Sequence, residues 1–216
     1  MTGTSRERLL AAAVDYVAAN GIGDRSLRQL ASALGTSHRM LIYHFGSKVG
    51  LLVEVVRAVE ERQRTALAEL QAAAAGAGNE TLAELARRFW RRLSDPSLWP
   101  HERLFFELYG QALQGRPGAT ALLDGVVESW LGPLTELVEW HRLPPEQSRA
   151  HARLGLAVVR GLLLDLLATG DRAGVDEAME RFLAGYHPPH PSVPALGRAD
   201  QGEIQPDMPD SHLNNS

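Results

Sequence analysis

The sequence predicts an all-α protein of about nine helices, and three observations carry that expectation. Apolar residues recur every three to four positions in segment after segment, the spacing that lines one face of an α-helix. Thr4 with Glu7, Ser26 with Gln29 and Thr81 with Glu84 each set a hydroxyl three residues before an acid or amide, the pattern of a capping box. Clusters of glycine and proline separate the segments.

The first helix starts after Thr4 and carries Leu10, Ala13, Val14 and Val17 as a stripe before Gly21 stops it. Ser26 caps a second, with Leu27, Leu30, Ala31 and Leu34 on its apolar face, and Gly35 ends it as a left-handed residue. Ser37 is placed to cap a third. From Ser47 to about Ala75 the chain lacks proline and is rich in Ala, Leu, Glu and Arg, so a helix of roughly 40 Å is expected, broken at Gly76 to Asn79. Thr81 opens the next, with Leu82, Leu85, Phe89 and Leu93. Asp95 to Pro100 reads as a loop, followed by a short helix around Leu104, Phe105, Leu108 and Tyr109 and a break at Gly115 to Gly118. The next pattern reaches about Arg142 and should kink at Gly132-Pro133. Leu143-Pro144-Pro145 begins a helix whose Leu154 to Leu167 section is apolar nearly all round, so it needs cover on every side. Past Gly170 and Asp171 comes a last helix with Val175, Ala178, Met179, Phe182, Leu183 and Tyr186 at helical spacing. Beyond Tyr186, proline, small and polar residues leave too little apolar surface to offset ordering entropy, so residues 187–216 are expected to be disordered.

The stretch from Ser26 to Leu52 holds the chemistry. Three residues separate Leu34 from His38, the spacing of a helix-turn-helix. At about 100° per residue, Leu41 and Phe45 of the second helix point one way while Arg39, Met40 and Tyr43 point the other. That outer face suits DNA: arginine can bridge the O6 and N7 of guanine, methionine can lie against a thymine methyl, and a tyrosine hydroxyl can bond a phosphate. Lys48 opens the following helix, where its charge and the free N–H groups together suit a phosphate. Arg28, on the first turn of the second helix, is either a solvated charge or another phosphate contact. The plain alternative for the whole stretch is an αα-hairpin of a helical bundle, with Tyr43 packed and Arg39 solvated.

From about Arg6 to Leu52 the chain resembles the DNA-binding domain of TetR-type transcriptional regulators. The first helix, LRQLASALGTS, the LIYHF end of the third helix and the SKxxLL opening of the fourth carry the likeness as an ordered set. Two positions depart from the family pattern: Arg39 stands where a small residue, often Gly, is usual, and Ile42 where Tyr is usual. Tyr43 is then the candidate for the missing tyrosine's phosphate contact. The resemblance implies DNA contacts from Arg28, Ser37, His38, Arg39, Met40, Tyr43, His44 and Lys48. It also implies a homodimer on a pseudo-palindromic operator in double-stranded DNA, and a C-terminal helical domain that dimerises and encloses a small organic effector.

Charge divides with the motif. The chain of 216 residues has a formal net charge of -4, yet residues 1–48 carry six Lys or Arg against three Asp or Glu, leaving the excess acid to the remainder. Affinity for DNA must therefore come from the N-terminal part. Without cysteine, disulfides, thiolate catalysis and thiolate metal sites drop out. Leu9 to Val14 is bracketed by Glu7 and Asp15, unlike a signal peptide, and Leu154 to Gly170 is short for a membrane span and interrupted by Arg160 and Asp165. The expected setting is cytoplasmic, with no membrane partner.

No G-x-S-x-G elbow, P-loop, Rossmann glycine set or H-E-x-x-H face is present, so no catalytic residues, no metal site and no cofactor are expected. Trp90, Trp99, Phe105, Phe106, Tyr109, Trp130 and Trp140 gather in one part of the sequence, beside His101, Glu102 and Arg103. Large rings beside a few polar groups read either as ordinary core or as a pocket between helices, with Trp90, Trp99, Phe105, Tyr109 and Trp130 as its effector contacts. Arg160 and Asp165 need partners if buried; a dimer seam is favoured over a ligand carboxylate at Arg160. The seam itself is expected from the last two helices, including Phe182 and Leu183.

The expected organisation is a three-helix DNA-binding domain, residues 1–46, and a helical effector-binding and dimerisation domain, residues 47–186. The function it implies is ligand-responsive transcriptional regulation, most simply repression relieved by the effector. The rivals are a helical small-molecule- or partner-binding protein with a vestigial reader, and a small-molecule-processing enzyme that lacks any visible catalytic set.

Overall fold

The fold was obtained as a computed structural model describing residues 4–23, 25–77, 80–141 and 145–185, the side chains of Ala77 and Trp140 excepted. The expectations for Trp140, Arg142, Leu143-Pro144, Tyr186 and the tail 187–216 lie outside this description. Nine α-helices run through the described residues: α1 Ser5–Asn20, α2 Leu27–Ala33, α3 His38–Phe45, α4 Lys48–Ala77, α5 Leu82–Leu93, α6 Trp99–Leu113, α7 Glu128–Trp140, α8 Pro145–Thr169 and α9 Arg172–Gly185. Two 3-10 turns, Pro96–Leu98 and Thr120–Leu123, complete the regular structure.

The caps start the helices where the sequence places them. Thr4 Oγ1 accepts the Glu7 N–H while the Glu7 carboxylate accepts the Thr4 N–H at 2.7 Å. Ser26 with Gln29 and Thr81 with Glu84 repeat the exchange at α2 and α5. Each pair satisfies backbone donors that a helix start leaves unpaired.

Two elements differ from expectation. Helix α4 runs through Gly76 to Ala77, 30 residues, because one glycine in an alanine-rich stretch weakens a helix without ending it. Helix α6 begins at Trp99 rather than beyond Pro100; proline suits a first turn, where its missing N–H has no partner to lose. Helix α7 holds Pro133 in its interior, with Trp130, Leu131, Leu137 and Val138 buried on both sides of it.

The core has two parts. One joins α1, α2, α3 and the first half of α4 to Leu104, Phe105, Leu108 and Ala112 of α6 and to Leu122 of the turn after it. The other joins Leu67 and Ala74 of α4 to α5, α7, α8 and α9, and Phe106 of α6 packs against both. Polar ties reinforce the first: His101 Nε2 of α6 lies 3.0 Å from the Val14 carbonyl of α1, and Arg6 of α1 pairs with Glu54 of α4 while lying 5.3 Å above the Phe45 ring.

Helix α8 is not covered on every side within one chain. Leu154 and Leu164 are each 50 % exposed, and Ala157, Gly161, Asp165 and Ala168 share their exposed face.

Candidate DNA-reading face and interior cavity

Helix α3 follows Ser37, whose Oγ accepts the Met40 N–H at 3.2 Å. Leu41 and Phe45 are buried against α1, α2 and α4, which turns the opposite side of α3 outward. His38, Arg39, Met40 and Ile42 are exposed, and Tyr43 is 79 % exposed. The facing therefore matches the helical-wheel argument, with Ile42 (41 % exposed) added to the outer surface. His44 is half-buried, its ring edge-on to Tyr43 at 4.9 Å. Ser47 Oγ accepts the Gly50 N–H at 2.9 Å and so caps α4, and Lys48 stands at that helix's first position. Arg28 is exposed on the first turn of α2. Arginine, an amphipathic ring and two apolar side chains thus share one exposed face, beside a lysine on a helix N-terminus. Such a face can enter a groove and hold the flanking backbone.

Behind it, between α4, α5, α6, α7, α8 and α9, lies a cavity with 1010 Å³ of empty space including its mouth. Its walls are mostly apolar: Leu85 and Phe89 of α5, Phe105 and Phe106 of α6, Leu134 of α7 and Leu156 of α8 are representative. Polar groups converge at one part of the lining. Gln63 Nε2 of α4 donates to Glu102 Oε1 of α6 at 2.5 Å. Trp130 Nε1 of α7 donates to Glu60 Oε2 at 2.7 Å, and Arg160 of α8 lies 3.7 Å from the same carboxylate. Burial raises the pKa of both carboxylates. For Glu102 it is pushed up to about 7, with the Gln63 hydrogen bond opposing; for Glu60 the Trp130 hydrogen bond and the Arg160 and Arg64 charges oppose. Burial likewise lowers the pKa of Arg160, with Glu60 opposing.

Of the five proposed effector contacts, Phe105 and Trp130 line the cavity. The other three pack away from it. Trp90 donates its indole N–H to Asp176 of α9 at 2.7 Å, Trp99 donates to the Ser94 carbonyl at 3.2 Å, and Tyr109 stacks on Phe105 at 5.4 Å. Arg160 points inward, donating to the Val126 carbonyl at 2.8 Å with its guanidinium 5.1 Å above the Phe105 ring, so it is no part of the outer face of α8. Phe182 and Leu183 also line the cavity. Glu60 and Gln63 were not singled out from sequence: in a long helix of mixed composition, nothing local distinguishes an inward acid or amide from a solvated one. Only the chain's return as α6, α7 and α8 encloses them.

The family model for bacterial regulatory proteins of the tetR family matches residues 9–55. That match runs from α1 into the first turns of α4 and carries the likeness to the TetR family. The matched residues have the form of the DNA-binding region of a transcriptional regulator, with α2 and α3 as its helix-turn-helix. Solved structures extend the likeness over most of the chain. A transcriptional regulator from Rhodococcus sp. Rha1 shares 20% identity at a TM-score of 0.65, covering 84% of this chain and 95% of its own. A Saccharomonospora viridis regulator, solved in complex with choline, shares 21% identity at 0.58, covering 83% and 93%. The multidrug binding protein EbrR, complexed with imidazole, shares 26% identity at 0.58, covering 85% and 94%. A comparison with curated proteins finds no match. Among the described residues, no helix is long and apolar enough to cross a membrane.

Proposed function

We propose that this protein is a cytoplasmic TetR-type repressor that leaves its operator when a small organic molecule fills the interior cavity. The observation that carries the reading is the sharing of α4 and α6 between two places. Both helices pack under the reading helix in the first core, and both wall the cavity. The working division is a reader, residues 1–46, and an effector and dimerisation domain, residues 47–186. In this reading Arg39, Met40 and Tyr43 meet base edges and phosphate, while Ser37, His38 and His44 flank them. Lys48 and Arg28 hold the backbone, and a homodimer sets two copies on a pseudo-palindrome. Phe105 and Trp130 touch the effector directly; Trp90, Trp99 and Tyr109 brace the walls through the contacts above. The small molecules bound by the Saccharomonospora viridis regulator and by EbrR support a ligand in the same kind of fold.

Fluorescence anisotropy with the promoter DNA of its own and neighbouring genes tests the reader. Arg39→Ala should weaken the best site by about 1–3 kcal/mol and relax preference at one base, whereas Lys48→Ala should weaken all sequences alike and reduce the salt slope by about one. Unchanged selectivity in Arg39→Ala would remove α3 from the reading role.

A further inference from the structure

The charged groups of the cavity are unbalanced. Its lining holds two carboxylates, Glu60 and Glu102, and one guanidinium, Arg160. That guanidinium is already engaged by Glu60, by the Val126 carbonyl and by the Phe105 and Tyr109 rings. Glu60 has the Trp130 indole as donor and Arg64 at 3.8 Å as a second cation. Among the described residues Glu102 has one hydrogen-bond partner, the neutral amide of Gln63, and no cation within ion-pair distance. It is 5 % exposed. A buried carboxylate so placed has no cation in contact, and Arg160, committed to Glu60, reaches it only at longer range. Aromatic rings of α5, α6 and α7 border the same space, and ring faces attract cations. The groups facing Glu102 from other elements are Glu60 and Gln63 of α4 and Arg160 of α8, with His151 of α8 also in the lining; α5, α7 and α9 contribute no charged lining residue.

We infer that the effector of this cavity is a lipophilic organic cation, its apolar body among the aromatic walls and its positive charge against Glu102. The inference rests on the cavity being the effector site. A permanent cation favours the ionised carboxylate, so its binding expels the proton that burial keeps on Glu102 near neutrality.

Three probes of one shape test this by calorimetry on the full chain: a phenylalkyl trimethylammonium, its uncharged tert-butyl isostere and a phenylalkanoate. At pH 8 the cation should bind at least about tenfold tighter than the isostere, and with Glu102 titrating at about 7 its affinity should fall about tenfold between pH 8 and pH 6. The isostere's affinity should not change with pH. Glu102→Gln should abolish the cation's advantage and its pH dependence while leaving isostere binding intact. Gly155→Leu should block both ligands, since Gly155 lines the cavity and a Cβ there meets nothing within 4 Å. If the isostere binds as well as the cation, or the phenylalkanoate binds tightest, the cation assignment is overturned and the cavity reading stands. If no probe binds, or Gly155→Leu binds them unchanged, both fall.

Discussion

A methyl group at residue 50 would sit 2.2 Å from the Phe45 carbonyl oxygen, far inside contact distance. This side chain of one hydrogen lets the first turn of α4 close against the end of α3, and with it sets Lys48 beside the reading face. Gly50→Ala should destabilise the protein by about 1–3 kcal/mol, as overpacking does, and lower its melting temperature in calorimetry. An unchanged melting temperature would mean that the junction is looser than described. Glu102 makes a second residue-level case, because burial raises its pKa from 4.5 to about 7. The native state then holds a proton that the unfolded state has released, so folding stability is full below about pH 4.5 and declines as pH rises toward 7. His101, whose pKa burial lowers, acts in the opposite direction: it takes stability away as pH falls below 6.5. Comparison with Glu102→Gln isolates the first effect. In urea titrations the wild type should lose, relative to the variant, on the order of 3 kcal/mol between pH 4 and pH 8. A constant difference would place Glu102 in contact with water.

Among the elements, α8 carries the clearest unmet demand. Its exposed strip of Leu154, Ala157, Gly161, Leu164 and Ala168 is narrow, and its small residues permit close approach of a second helix. Leu164→Glu should therefore yield monomers by sedimentation and weaken operator binding, because two half-sites need two readers. Leu183→Glu should instead disturb the cavity wall, so a dimer that survives it is compatible with this strip as the interface. The helices themselves were legible in the sequence to within a few residues, since Thr4, Ser26, Ser37 and Thr81 mark starts by a local chemistry that folding does not override. So was the facing of α3, which follows from helix geometry once Leu41 and Phe45 are taken as core. Pro100 misled because the same residue ends one helix and suits the first turn of another. The cavity was half legible: Phe105 and Trp130 stood out as large rings, but Trp90 and Trp99, equally large, spend their N–H groups on Asp176 and Ser94. Which rings face a void is decided by packing at long range, and no spacing rule carries it.

At the scale of the whole molecule, α4 is the long member, about 45 Å from Lys48 to Ala77. Its first turn lies beside α3 while Glu60, Gln63 and Leu67 reach the cavity, so under the proposed function a tilt set at the cavity would displace the reader. A coupling of about 1–3 kcal/mol would change operator affinity by about 5 to 150-fold, and reciprocity requires operator to weaken the effector by the same factor. Calorimetric titration of a cavity ligand with and without operator checks this; equal affinities would disconnect the two sites. Helix α6 has a different consequence, one for exchange between relatives. Leu104, Phe105 and Leu108 complete the core beneath the reading helix, and His101 is bonded to the Val14 carbonyl. A chimera that transplanted residues 1–46 onto a foreign body would leave behind the α4 and α6 side chains that fill its underside. The portable unit is residues 1–46 together with the first half of α4 and with α6, and under the proposed function new operator specificity is more safely installed by rewriting the outer face of α3 than by moving the segment whole.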